Sequence, residues 1–480
     1  MEGTGKSQQT IFSKRMDRRT LLKYAAVAGA AAIAVPTLQA CGGIGGASEY
    51  KPGTKLAAPP QGTGGGKPLI FRGWNYHVEV VQDNLETFKK QYDEQVDYQT
   101  ITGDYGSIVA QMHVNKEPLN FCYANPQTAA RWYLSGWAHD YSGWWDVEKA
   151  SAELYPGWRA IATIKGKLVG LPYFQSIRGN IVTNDALLEK VGITPQEYPK
   201  TWDELYAQLY DIKKANVTDV PFLPHWFATW FGVTWGFLFE AQNRGFTVFD
   251  EKGNPVFDPQ CYEMVEYWKK LLADGIVPKE TLTMQEADFI DAFATGRYAY
   301  SPQQTYDSKV FNDPAKSKFP GKSRIVPATS QPWGLIDSGL YVIIKRAGQT
   351  DSDVARSMRL GAFYGWRDKE GNLRVSKRWA VEQALNSGYP ATLEDPDVIA
   401  AYKSWMPDYD FMMPAMQSVL QAAKSPAVWQ RLFYDEWNSA AATVLPEAIL
   451  GQKTVKAALD ELKETANKLI DKYKKQDPGD

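Results

Sequence analysis

Between Lys67 and Asn125 the chain switches repeatedly between a period of two and a period near 3.6, and this alternation limits its possible folds more than any other feature. KPLIFRGW (67–74) reads as a strand. VEVVQDNLETFKKQYDEQ (78–95) sets Val81, Leu85, Phe88 and Tyr92 on one helical face. VDYQTIT follows as a second strand, YGSIVAQMHVNK as a second helix, and LNFCYAN as a third, apolar strand. Strands alternating with helices predict an α/β chain, with a parallel sheet covered on both faces. Ligands of such sheets gather beyond the carboxyl ends of the strands. Those ends are Trp74-Asn75-Tyr76, Gly103-Asp104-Tyr105 and Tyr123-Ala124-Asn125, each an aromatic beside a polar residue.

The N-terminal segment follows a different logic. MDRRTLLKYAAVAGAAAIAVPTLQACGG (16–43) places two arginines before an alanine-rich run and a cysteine after it. The uncharged run from Tyr24 to Leu38 is about 15 residues long, short of the roughly 20 that span a bilayer. A basic segment before a short apolar one reads as an export signal. Arg18-Arg19 and the residues after them resemble the twin-arginine motif, which routes folded proteins. Leu38-Gln39-Ala40-Cys41 resembles a lipobox, in which the sulfur of the cysteine is acylated and the chain is cut before it. The expectation is a signal peptide over 1–40 and a lipid on Cys41. That lipid would hold the exported protein on the outer face of the cell membrane, or on its periplasmic side. Residues 42–67 are rich in Gly and Pro and predict a flexible tether, spanning roughly 28 Å as a free coil.

The remaining chain, from Pro68 to Asp480, is long enough for two domains. A net charge of −2 offers no electrostatic footprint for nucleic acid. Beyond Cys41 only Cys122 and Cys261 remain, too few for a disulfide framework, although the two could pair. Aromatic residues, 13% of the chain with 17 Trp and 26 Tyr, are what stands out. Most must fill cores, yet Trp and Tyr also suit amphipathic ligands. A sugar is one: its C–H faces stack on rings and its hydroxyls need hydrogen bonds.

Signatures of catalysis are missing. The sequence holds no H-E-x-x-H, G-x-S-x-G, C-x-x-C or phosphate-binding loop. His77, His113, His139 and His225 are scattered without ligand spacing, so neither a metal nor a cofactor is expected. A glycosidase would need two carboxylates about 5–9.5 Å apart. Asp104 and Asp337 are the candidates for such a pair, but acceptance of hydrogen bonds from ligand hydroxyls is the role expected of them.

A family resemblance extends over nearly the whole body. GKLVGLPYFQSIRGNIVTNDALLEKVGITPQEYPKTWDEL (166–205) carries Gly166, Lys167, Gly170, Pro172, Asn184, Asp185, Leu187, Lys190, Gly192, Thr201, Trp202, Glu204 and Leu205 in the order found in extracellular solute-binding proteins of family 1. These are the sugar-binding receptors of ABC importers, similar to maltose-binding protein. Within this stretch KLVGLPY and GNIVTN read as two separate strands, and Thr201 with Glu204 as a capping box. Downstream, TVFDEKGNPVFD resembles the family's hairpin, with Lys252-Gly253-Asn254 at its turn. EYWKKLLADGIVP, DFIDAFATGRYAYSPQ, SGLYVIIKRAGQTDSDVARSMRLGAFYG and the C-terminal 445–470 match successive later elements. Asn120 stands where the family often has Asp, Thr183 replaces a Tyr, and PHWFATWFGVTWGF is unusually rich in Trp. These departures bear on the ligand rather than the fold.

The resemblance implies a two-lobed periplasmic-binding-protein fold of type II with a hinged cleft. One lobe would comprise 68–175 with 334–389, and the other 176–333 with 390–475. The chain would cross between them near Gln175-Ser176, Gln331-Pro332 and Gly388-Tyr389. Ligand contacts are expected from Trp74, Tyr76, Asp104, Tyr123 and Asn125 of the first lobe. The crossings would add Tyr173, Gln175, Asp337, Ser338 and Tyr389, and the second lobe Trp226, Trp230, Tyr300, Gln303 and Trp333. Arg178 would bind an acidic or phosphorylated ligand or pair with a carboxylate, and of Trp230 and Trp235 one is expected in the core. The implied function is a monomeric, non-catalytic receptor that hands a sugar or oligosaccharide to the permease subunits of an ABC importer. A polyol, glycerol phosphate or peptide receptor, and a lipid-anchored carbohydrate-active enzyme, are the alternatives.

Overall fold

A computed structural model describes residues 49–60, 67–103, 105–329 and 332–477. The twin arginines, Cys41, Asp104 and Gln331 lie outside the described residues. Three strands start the sheet: β1 (Leu69–Trp74), β2 (Val96–Ile101) and β3 (Phe121–Ala124). In β1, Leu69, Phe71 and Gly73 point inward, and β3 is buried along its whole length. The helices Val78–Tyr92 and Tyr105–Val114 make the crossovers, so β1 pairs parallel with both β2 and β3.

The rest of the sheet departs from the all-parallel expectation. After a small hairpin of β4 (Thr163–Ile164) and β5 (Lys167–Leu168) comes β6 (Leu171–Thr183), a single strand of 13 residues. It takes in the last three residues of the first stretch expected as a strand, Leu171 to Tyr173, and the second as far as Thr183, whereas Lys167–Leu168 of the first belong to β5. With β7 (Tyr300–Gln304) and β8 (Leu335–Ile343) it completes the order β2-β1-β3-β8-β6-β7, in which β8 runs antiparallel to β3 and β6, and β7 antiparallel to β6. The breakers inside β6 are absorbed by shifts of register. One lies between Pro172 and Phe174, the other between Arg178 and Asn180. At the second, Gly179 has φ +86°, and a Cβ there would lie 2.5 Å from the Phe239 ring.

Beside this ladder the Gln175 N–H donates to the Asn386 carbonyl at 2.7 Å, so three distant chain segments run side by side. The helix Asp351–Gly365 packs on β6 and β8 and carries a buried ion cluster. Glu94, with no exposed surface, accepts from Arg356 at 2.5 Å and from Arg359 at 2.6 Å.

Arg359 also donates to the carbonyls of Pro59 and Pro60. Residues 49–60 therefore differ from the expected free tether. Tyr50 and Leu56 are buried, their N–H groups donating to Gln349 and Gly143, because two apolar anchors and satisfied carbonyls outweigh the Gly/Pro composition around them.

Elsewhere local chemistry sets the elements. Thr201 caps the helix Trp202–Lys214 by accepting from the Glu204 N–H, while the Glu204 carboxylate accepts from Lys200 rather than from Thr201. The Lys252-Gly253-Asn254 turn is held by Asp250, which accepts from the N–H groups of Lys252 and Asn254. Helices Tyr434–Ile449 and Val455–Tyr473 pack together near the C-terminus. Cys122 and Cys261 are both free and buried. No helix among the described residues is long and apolar enough to cross a membrane.

Candidate functional site

Aromatic side chains collect where β1 and β3 end and β6 begins. Trp74 stacks on Tyr123, with centroids 4.7 Å apart and planes 21° apart. Tyr173 leans on both rings, at 5.5 and 4.8 Å, and meets Trp379 of the helix Arg374–Gln383 edge-on at 5.3 Å. Tyr76, just past β1, stacks on Trp379 at 6.1 Å and is 42% exposed. Burial raises the phenols of Tyr123 and Tyr173 well above their usual range, so these buried rings act as neutral faces.

A polar centre lies on one face of the middle strands. Residues 174, 176 and 178 of β6 share that face by the two-residue period. Arg178 forms ion pairs with Asp337 of β8 at 2.9 Å and with Glu286 at 2.8 Å. Gln304, at the end of β7, with its amide turned to the orientation that satisfies its neighbours, accepts from Arg178 Nη2 at 2.5 Å and donates to Ser176 Oγ and Asp337 Oδ2, both at 3.2 Å. The guanidinium also lies 4.3 Å from the centre of the Phe231 ring. Burial alone would lower the Arg178 pKa, but Glu286 and Asp337 outweigh it and raise it above its ordinary value.

Asp307 stands beside this centre, accepting a 3.0 Å hydrogen bond from the Gln304 N–H. Burial first, then the Glu286 carboxylate, raise its pKa to about 7. Asp307 reaches across to the first aromatic group: partial burial and then its charge push the Tyr76 phenol up to about 12.

A second aromatic group begins at Phe231. Trp235, in the helix Val233–Asn243, lies 5.8 Å from Phe231, 5.6 Å from Trp230 and 4.5 Å from Trp429. Trp235 and Trp429 are buried, whereas Trp230, in the turn before the helix, is 43% exposed. Between the groups Phe174 joins Tyr173 at 5.2 Å and Tyr306 at 6.4 Å. Rings thus adjoin the polar centre from both groups, and each group has one well-exposed large ring, Tyr76 in the first and Trp230 in the second.

The structure brings together Trp74, Tyr76, Tyr123, Tyr173, Arg178, Asp337 and Trp230 from the residues expected in the site. Asp104 is outside the described residues, and the remaining ones lie elsewhere. Gln175 occupies the opposite face of β6, donating to the Leu420 carbonyl. Ser338 Oγ accepts from Trp158 and donates to the Phe174 carbonyl. Asn125 caps the helix Pro126–Leu134 by accepting from the Thr128 N–H. Trp226 packs on Trp268, Tyr300 donates to Gln208, and Gln303 donates to Ser301. Trp333 is fully buried against Trp202, and Tyr389 is buried at the start of a short 3-10 turn.

Sequence reasoning did not select Glu286, Gln304, Tyr306, Asp307, Phe231 or Trp379. Only the crowding of aromatics in PHWFATWFGVTWGF pointed toward one of them. Among the described residues, no three His, Cys, Asp or Glu side chains gather as a metal site.

The family model for bacterial extracellular solute-binding proteins matches residues 40–351. Maltose-bound MalE3 of T. maritima is 20% identical, with a TM-score of 0.67 over 84% of this chain and 99% of that one. MalE, the sugar-binding protein of Xanthomonas citri, is 17% identical, with a TM-score of 0.69 over 85% and 98%. An ABC transporter solute-binding protein from Agrobacterium radiobacter K84, in complex with ribitol, is 17% identical, with a TM-score of 0.67 over 85% and 100%. A search of curated proteins found no match.

Proposed function

Since the chain belongs to the bacterial extracellular solute-binding proteins, we propose that it binds a sugar or oligosaccharide between its aromatic groups and delivers it to an ABC importer. Its family and structural neighbours are binding proteins rather than enzymes. The observation that carries the reading is the pair of well-exposed rings, Tyr76 and Trp230, one in each aromatic group adjoining a hydrogen-bonding centre. Rings of this kind stack on the C–H faces of a sugar while Asp337 and Gln304 meet its hydroxyls. Maltose and ribitol, bound by two of the structural neighbours, belong to the solute class that such a site suits.

In this reading the lobes are 68–175 with 334–389, and 176–333 with 390–475. The hinge is the pair of long strands β6 and β8. Only closure lets both lobes touch the solute, so the solute favours the closed form. The protein works as a monomer, exported by the twin-arginine route and held at the membrane by a lipid on Cys41, with a permease as its partner. Cys41→Ala should move it from the membrane fraction to the soluble fraction; retention on the membrane would sink the lipid assignment.

The test of solute binding is a titration of neutral mono- and oligosaccharides, followed by tryptophan fluorescence and radius of gyration. A saturable fluorescence change with a smaller radius is expected. Tyr76→Ala and Trp230→Ala should each weaken it at least tenfold while leaving thermal melting nearly unchanged. A whole panel without response would overturn the sugar reading.

A further inference from the structure

Arg178 is the cation at the polar centre, yet it has almost no free donor. Its Nε and Nη2 serve Asp337, Nη2 also meets the Gln304 oxygen, Nη1 serves Glu286, and Phe231 covers its face. The two carboxylates occupy different positions. Asp337 belongs to a central strand, and its side chain is 11% exposed. Glu286 opens the helix Glu286–Ala294, and its side chain is 35% exposed, so it holds the outward edge of the guanidinium. A planar guanidinium edge is a fitted receptor for carboxylate or phosphate, and Glu286 already fills this one.

We propose that Glu286 sets the charge specificity of the site, occupying the edge of Arg178 that an acidic solute would take and so confining the cleft to solutes without an anionic group. This rests on the reading that solute binds between the aromatic groups. Asp337 acts in the same direction: its carboxylate already shares Arg178 with Glu286, so an incoming anion would meet two carboxylates at the one guanidinium. Rejection through unmatched charge is an effective route to selectivity. Glycerol phosphate is therefore a poor candidate for the natural solute.

The test uses D-glucose as the neutral probe, with D-glucuronate and inorganic phosphate as anionic probes. Binding is read by fluorescence, because Trp235 lies 5.7 Å from the guanidinium, and by thermal melting. The wild type should give no saturable response to either anion at 10 mM, a probe concentration roughly in the range of very weak binding. Glu286→Ala should gain a response to phosphate and glucuronate at least tenfold tighter than any in the wild type. Glu286→Gln keeps the side-chain shape and should show the same gain in direction, which guards against a folding defect of the alanine variant. The gain should vanish in Arg178→Gln/Glu286→Gln, locating it at Arg178. Tight binding of either anion by the wild type would overturn the proposal, as would no gain in both single variants. A gain of phosphate binding alongside a silent neutral-sugar panel would keep the charge gate and discard the sugar reading.

Discussion

Trp230 and Trp235 are close in sequence and differ in what each can do. Trp235 lies inside the helix Val233–Asn243 and packs against Trp429, while Trp230 remains in the turn before it with much of its ring in water. Trp235→Ala should therefore cost about 3–5 kcal/mol of stability by leaving a cavity. Trp230→Ala should cost little stability, so chemical denaturation run beside solute titration separates the two. Asp307 makes a different prediction. Its folded pKa of about 7 lies above the ordinary carboxylate value near 3.9, so the folded state keeps a proton that the unfolded chain releases. Its contribution to stability is present below about pH 4 and is lost as pH rises toward 7, by a few kcal/mol at most. Asp307→Asn should flatten that decline in urea unfolding measured at pH 5 and pH 7; an unchanged slope would remove Asp307 as its source. In the candidate site, residues at strand ends, such as Trp74 and Tyr123, were legible because an aromatic beside a polar group follows an apolar run. Glu286, Asp307 and Trp379 were not, because ordinary helix residues join the candidate site only when distant segments are folded together.

At the scale of elements, the first three strands and their two helices follow directly from hydrophobic period, while the Gly253 turn and the C-terminal helical region were expected from the family resemblance. The long β6 does not follow from that period. Pro172 and Gly179 are local signals for breaks, whereas the ladder with β7 and β8 tolerates both by shifting register. The antiparallel half of the sheet was hidden for a related reason, since β8 reaches β3 and β6 from far along the chain. Gly179→Ala should cost at least about 1–2 kcal/mol, as it forces a positive φ on an L residue and drives a methyl into Phe239. A midpoint shift in urea with an unchanged m-value would register this; a neutral substitution would mean that β6 can run straight through the shift.

For the molecule as a whole, the Glu94 cluster joins elements far apart in sequence. It links the chain after Tyr92 to the helix Asp351–Gly365, and Arg359 carries it on to the segment 49–60. Glu94→Gln leaves two buried guanidinium groups short of a counter-charge and should cost about 3–5 kcal/mol. It should also speed hydrogen exchange at the Leu56 amide, which donates to Gly143. Unchanged exchange there would show that Tyr50 and Leu56 hold the segment by packing alone.

That pinned segment changes the mechanics of anchorage. With the proposed lipid on Cys41, about eight residues separate the anchor from Glu49, a reach of at most roughly 28 Å at 3.3–3.6 Å per residue. Were the chain free as far as Lys67, the limit would be roughly 90 Å. The volume swept from the anchor scales as the cube of reach, so pinning concentrates the body near the bilayer roughly thirtyfold. Two side chains, Tyr50 and Leu56, would thus set how often the lipid-held body meets the permease proposed as its partner.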